Sequence, residues 1–215
     1  MKQRVLSAGT LTLFLAAIVL FNRSFPPALN MAIALVSGLG VWEIVSALGL
    51  SKNLVLVCPS LLFAVAFPFL ETLPAREIAY FAYTVVIFAA LIFYHSRVTF
   101  RELGVVYSMS LLIPTALETL VGLRELGGAH GMFYVLIGIF SAWFSDMGGF
   151  FAGRLFGRHK LCPDISPRKT VEGVAGSFVM NILTMLLFGF LFQAVYYAEN
   201  VRVSFLPLLV IGVAG

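Results

Sequence analysis

Gly173-Val174-Ala175-Gly176-Ser177-Phe178-Val179-Met180-Asn181-Ile182-Leu183-Thr184-Met185-Leu186-Leu187-Phe188-Gly189-Phe190-Leu191-Phe192-Gln193-Ala194-Val195-Tyr196-Tyr197-Ala198 runs 26 residues without an acid, a lysine or an arginine. About 20 mostly apolar helical residues cross a hydrocarbon core roughly 30 Å thick, so this stretch alone predicts a membrane span. Outward from it, Val5–Asn22, Ser24–Trp42, Asn53–Leu70 and Ile78–Ser96 each run 18 or 19 residues between formal charges. Leu103–Leu117 continues past Glu118 to Leu123, and Ala129–Ser145 continues past Asp146 to Ala152. Val203–Gly215 is a last apolar run of 13 residues with no polar flank. The expectation is an all-α polytopic integral membrane protein with seven full transmembrane helices plus a truncated eighth, organised as one domain over residues 1–215.

Composition supports that class and excludes others. The chain has 215 residues, 60% of them hydrophobic and 11% charged, with a mean hydropathy of +1.01. Soluble domains carry about 25% charged residues, and one globule of this length cannot hide so large an apolar excess from water. Disorder conflicts with the low charge and the 30 aromatic residues. Cys58 lies in an apolar run and Cys162 in a charged loop, so no disulfide is expected between them. Lys2 and Arg4 precede the first apolar run, but that run is too long for a signal peptide and no small-x-small cleavage site follows it. Lys2, Arg4, Lys52, Arg97, Arg101, Arg154, Arg158, Lys160, Arg168 and Lys169 fall on one side of the predicted spans. Arg23, Arg76, Arg124 and Arg202 fall on the other. Ten against four predicts a cytoplasmic N-terminus and a cytoplasmic loop after the sixth helix.

That loop belongs to a cytoplasm-facing polar segment, residues 146–173, which holds eight of the 24 charged residues. Asp146 lies near the end of an otherwise apolar helix, where a carboxylate needs a cation, a partner or water. It reads either as a metal or substrate contact or as a headgroup-level acid, paired with Arg154 two turns on or simply wet. Gly149, Gly153 and Gly157, with Gly148 beside the first, form a smooth helical stripe. Such a stripe packs closely against another helix, or admits a phosphate or sugar to the backbone. In Ser166-Pro167-Arg168-Lys169-Thr170-Val171-Glu172-Gly173, Ser166 reads as an N-cap and Pro167 as the first residue of a helix. A helix starting there points its free amides at an anion. Arg168 and Lys169 add charge in the same turn, and Arg154, Arg158 and Lys160 approach from the preceding segment. The set suits a polyphosphate, or serves as a basic loop anchored to anionic headgroups. Glu172 favours the former, because a metal or a ribose hydroxyl uses an acid there.

Residues 145–160, Ser-Asp-Met-Gly-Gly-Phe-Phe-Ala-Gly-Arg-Leu-Phe-Gly-Arg-His-Lys, followed by Ser166–Gly173, resemble the phosphatidate cytidylyltransferase, or CDP-diglyceride synthetase, family. That family shows Asp-Thr-x-Ala-Tyr-x-x-Gly-Arg/Lys-x-x-Gly-Lys/Arg-x-Lys and then Ser-Pro-Lys-Lys-Thr-x-Glu-Gly. The opening Met1-Lys2-Gln3-Arg4-Val5 is also similar. Met147, Gly149 and Phe150 stand where the family has Thr, Ala and Tyr. The family's second signature, rich in aspartate and ending in Pro-Gly-His-Gly-Gly-x-x-Asp-Arg-x-Asp, has no counterpart here. By that resemblance the chain lacks its C-terminal quarter, and its main metal ligands are expected beyond Gly215.

The resemblance implies transfer of a cytidylyl group from CTP to phosphatidic acid, releasing pyrophosphate, in a bacterial inner membrane. It implies Lys169 and Asp146 as catalytic residues. Arg154, Arg158, Lys160, Ser166, Pro167, Arg168, Thr170 and Gly173 are implied as substrate-binding, and Glu172 with Asp146 as contacts to a divalent metal, magnesium. The 215-residue chain alone is then expected to be inactive. The partners of this reading are CTP, phosphatidic acid, membrane lipid and a second copy as a homodimer, with no nucleic acid. Two alternatives stand beside it: a secondary transporter or channel using Asp146, and another CTP-dependent lipid kinase or cytidylyltransferase.

Overall fold

The computed structural model describes residues 14, 16–22, 24–95, 98–195 and 204–214. The expected first span, Val5–Asn22, falls largely outside them. So do Lys2, Arg4, Arg23, Arg97 and Arg202 of the orientation count, and the ends of the fourth and seventh predicted spans.

The described chain is mostly helical. A helical stretch at residues 16–21, α1, precedes α2 (Pro27–Ala47), α3 (Leu54–Ala66), α4 (Leu73–Phe93), α5 (Phe100–Leu126) and α6 (Gly131–Phe156). After α6 come strands β1 (Lys160–Cys162) and β2 (Ser166–Thr170), then α7 (Val171–Val195) and α8 (Phe205–Ala214). Helices α2, α4, α5, α6 and α7 are long and apolar enough to cross a membrane. The chain is therefore a helical integral membrane protein, with an antiparallel hairpin, β1–β2, as an addition to the expected all-helical chain.

Helix boundaries depart from the charge gaps for identifiable reasons. The third expected span, 53–70, contains a 13-residue α-helix and a 3-10 turn at Phe67–Phe69, because Pro68 brings no N–H to continue the α ladder. Helix α4 starts at Leu73 rather than Ile78, capped by the Thr72 hydroxyl, which accepts from Ala75 N at 3.4 Å. Its first turns carry Arg76, whose Nε donates to Leu70 O at 2.7 Å and whose guanidinium pairs with Glu118 of α5. Helix α5 starts at Phe100 through a Thr99–Glu102 capping box. Charges mark the ends of uncharged runs, whereas helices extend past them wherever a cap or an ion pair satisfies the extra turn.

Two compact units are present, residues 1–132 and 133–215. In the first, Val41, Val45, Leu56, Phe63, Phe67, Ile87, Leu103 and Val106 form an apolar core. Hydroxyls stitch its helices: Ser60 to Tyr83 at 3.0 Å, Tyr80 to Thr115 at 2.8 Å and Thr84 to Tyr107 at 2.9 Å. Apolar burial does not separate helix from lipid, so such polar contacts help to fix helix pairs in a membrane.

In the second unit, buried Asn181 of α7 ties three helices together. Its Oδ1 accepts from the Ser141 hydroxyl of α6, and its Nδ2 donates to Gly212 O of α8 at 3.0 Å. Phe133 and Phe140 of α6 pack against Phe188 of α7 with ring centroids 5.6 and 5.7 Å apart. Closer to the hairpin the two helices meet through glycine. A Cβ on Gly176 would strike Ala152 Cβ and lie 2.7 Å from Gly148 O, and one on Gly173 would lie 3.0 Å from Gly149 O.

Candidate functional site

The hairpin follows from the chain's path between α6 and α7. Lys160 pairs with Thr170 and Cys162 with Ser166, and Ile165 N–H donates to Cys162 O at 3.2 Å to close the tip. This corrects the expected helix start. Ser166 is not an N-cap and Pro167 is not the first helical residue; both lie in β2, and α7 begins at Val171. Proline's fixed φ suits a two-stranded edge as well as a helix start, so the Ser-Pro pair alone cannot separate the two.

Thr170 is the residue that caps α7. It is buried, and its Oγ1 accepts from Gly173 N at 3.1 Å while Val171 N–H donates to His159 O at 3.0 Å. Two amides of the first turn are thus already engaged within the protein. The positive character of the site comes from side chains more than from a free helix end. Thr170→Val is expected to destabilise the chain by about 1 kcal/mol, and Thr170→Ser to preserve it. Thermal unfolding of the detergent-solubilised protein measures both.

A cleft of about 740 Å³ opens in the second unit, lined by Asp146, Gly149, Phe150, Gly153 and Arg154 of α6, Ser166, Arg168, Lys169 and Thr170 of β2, and Gly173, Val174 and Ser177 of α7. Seven residues expected at a site, Asp146, Arg154, Ser166, Arg168, Lys169, Thr170 and Gly173, meet there. Arg158, Lys160, Pro167 and Glu172 do not line it. Glu172 instead braces the hairpin: the His159 backbone N–H donates to its two carboxylate oxygens at 3.2 and 3.3 Å, and His159 Nδ1 lies 2.6 Å from Oε1.

Asp146 has no ion pair among the described residues, so the pairing with Arg154 offered as an alternative reading is not formed, although both line the cleft. The glycine stripe packs closely against α7, as one of its two readings expected. A Cβ on Gly148 would meet Met180 and Gly176 O and one on Gly149 would lie 2.5 Å from Ser177 Oγ, while Gly149, Gly153 and Gly173 also line the cleft. Phe150, Val174 and Ser177 were not anticipated. Ser177 follows Gly173 by one turn on the face that carries Thr170, a helical spacing that could have marked it.

The arrangement is amphipathic. Three cations and three hydroxyls face one carboxylate across a backbone floor, and Phe150 and Val174 supply apolar wall. From Asp146 to the end of α6 at Phe156 is ten residues, about 15 Å at 1.5 Å per residue. The cleft therefore extends from the hairpin down a membrane-length helix, and its volume lies within the roughly 300–1,000 Å³ of small-molecule sites.

A phosphatidate cytidylyltransferase of Bacillus subtilis is 31% identical over 112 residues, covering 52% of this chain and 41% of that protein. One from Aquifex aeolicus is 41% identical over 86 residues, covering 39% of this chain and 30% of that protein. One from Haemophilus influenzae is 37% identical over 75 residues, covering 35% and 24%. The matched stretches thus span less than half the length of these relatives. No solved structure matches. The profile of the cytidylyltransferase family matches residues 2–215, and the chain belongs to that family.

Proposed function

We propose that this chain carries the phosphate-handling wall of a membrane cytidylyltransferase that joins CTP to phosphatidic acid, giving CDP-diacylglycerol and pyrophosphate. The observation that carries the proposal is the convergence of Arg154, Arg168 and Lys169 with Asp146 in one amphipathic cleft. The names of its relatives supply the reaction.

A non-bridging oxygen of the lipid phosphate attacks the α-phosphorus of CTP. The new P–O bond forms as the bond to the β-phosphate bridging oxygen breaks, and pyrophosphate departs with that electron pair. Such transfers depend on alignment and on neutralising charge more than on covalent participation by the protein. Lys169 and Arg168 on β2 and Arg154 on α6 bind the phosphates from two sides. The Thr170 oxygen is held by the Gly173 amide, so its hydroxyl proton remains available to a phosphate oxygen. Phe150 and Val174 face the glycerol end of the lipid.

The donor set fits a magnesium ion held jointly with substrate. Among the described residues no three His, Cys, Asp or Glu side chains cluster, and Asp146 is an unpaired carboxylate facing phosphate-binding groups. Mg²⁺ commonly takes one or two carboxylates together with phosphate oxygens and water. Asp146 would hold it, and its chemistry when bound is to neutralise charge on the phosphates. Glu172 is spent on His159 and contributes to the hairpin's position.

The proposal places the N-terminus and the hairpin on the cytoplasmic side of a bacterial inner membrane, where CTP is available; the ten-to-four distribution of basic residues supports this. The discriminating experiment supplies CTP labelled at the α- or the γ-phosphate to the complete protein in its membrane, with phosphatidic acid. The α label is expected in lipid, with one pyrophosphate released per lipid labelled. Transfer of the γ label would replace the proposal with a lipid kinase. Ion flux in proteoliposomes that survives Arg154→Ala and Lys169→Ala but not Asp146→Asn would replace it with a transporter.

A further inference from the structure

Arg158 and Lys160 are exposed and stand outside the cleft that takes the other cations of the polar segment. They adjoin a tip that carries two exposed apolar side chains, Leu161 at 44% and Ile165 at 87%. The tip is not loosely held. Pairing of Lys160 with Thr170 and Cys162 with Ser166 forms its stem, and the Glu172 carboxylate, receiving the His159 amide at 3.2 and 3.3 Å, fixes its base to α7. Leu155 and Phe156 at the end of α6 and Val171 at the start of α7 are exposed too. The hairpin therefore emerges between the ends of two membrane-length helices, at the level where hydrocarbon gives way to headgroups. Asp164 is the one acid of the tip, against Arg158, Lys160, Arg168 and Lys169 in the hairpin and its flank. Apolar side chains interleaved with cations at this level match an anionic bilayer surface: the former enter the headgroup–acyl boundary and the latter pair with phosphates.

We propose that the β1–β2 hairpin docks on the anionic lipid surface of its own membrane, with Leu161 and Ile165 inserted and Arg158 and Lys160 holding headgroups. Its role is separate from the cleft's. Docking fixes the hairpin from its outer side, so the cleft residues of β2 are held by lipid as well as by Glu172.

Both cysteines are free, and Cys162 lies in the hairpin, so the protein carries its own reporter position. With Cys58→Ser, an environment-sensitive fluorophore on Cys162 is read in nanodiscs of phosphatidylcholine alone or mixed with phosphatidylglycerol. A blue-shifted emission is expected in the mixture, with quenching by lipids brominated near the headgroup end about twofold stronger than in phosphatidylcholine. Arg158→Gln with Lys160→Gln is expected to abolish the dependence on phosphatidylglycerol, and Ile165→Asp to reduce quenching in both lipids. Emission typical of water in both compositions would overturn the proposal. So would a dependence on phosphatidylglycerol that survives the double substitution, or a shift that follows added CTP instead of lipid. None of these readouts requires turnover, so they stand apart from the test of the reaction.

Discussion

Lys169→Ala in the complete protein is expected to lower cytidylyl transfer by about 10²- to 10³-fold, the scale seen when one preorganised donor to developing charge is removed. Lys169 is an exposed residue of β2 that lines the cleft, and among the described residues it makes no ion pair or hydrogen bond. Its ammonium holds no described residue, so truncation leaves the hairpin register, set by backbone pairing and by Glu172 on His159, in place. The loss should therefore appear in kcat/KM without a change in thermal unfolding or membrane insertion. Lys169→Arg should recover part of the activity, because the charge remains while a planar fork replaces a compact, rotatable donor. Full activity in the alanine variant, or a loss matched by unfolding, would remove Lys169 from the site.

The membrane character and most of the site were legible in the sequence, for different reasons. Spans are set by length and apolarity, properties of a segment alone, and the long gap from Gly173 fell on α7, a helix of span length. The third span was overestimated because Pro68 acts on the backbone ladder and not on hydropathy. That Lys169, Arg168 and Arg154 would gather in one place was legible, because charge in an apolar chain is concentrated in the segment that contains them, and all three line the cleft.

The conformation carrying those charges was not legible. Ser166-Pro167 is compatible with both a helix start and a strand, and the choice depends on pairing with Lys160 and Cys162, which local sequence does not encode. The same ambiguity misplaced the cap, since Thr170 has capping chemistry as good as that of Ser166. The contact of Glu172 with His159 was not legible, because that partner lies 13 residues away across the hairpin. An acid beside a cluster of cations is equally consistent with ligating a metal and with bracing a loop.

Gly176→Leu is expected to be more damaging to the protein as a whole than any substitution of a charged cleft residue. A single methyl at position 176 would already collide with Ala152 and lie 2.7 Å from the carbonyl oxygen of Gly148. Carbonyl oxygen and helix backbone cannot step aside as a flexible side chain can, so α6 and α7 must separate. Their separation pulls Gly149 and Gly153 away from Gly173, opens the cleft floor, and strains the Ser141–Asn181 hydrogen bond farther along the same pair. Overpacking costs up to about 3 kcal/mol where neighbours relax, and backbone contact puts this site at or beyond that figure. The expected result is loss of both thermal stability and activity. Gly176→Ala should be intermediate, because it meets the same atoms with less volume. Gly104→Ala in α5, where a Cβ meets nothing within 4 Å, should change stability by no more than about 1 kcal/mol. If Gly176→Leu unfolded like Gly104→Ala, the close α6–α7 crossing could not be what forms the floor. The glycines would then be lining a cleft that some other contact holds open.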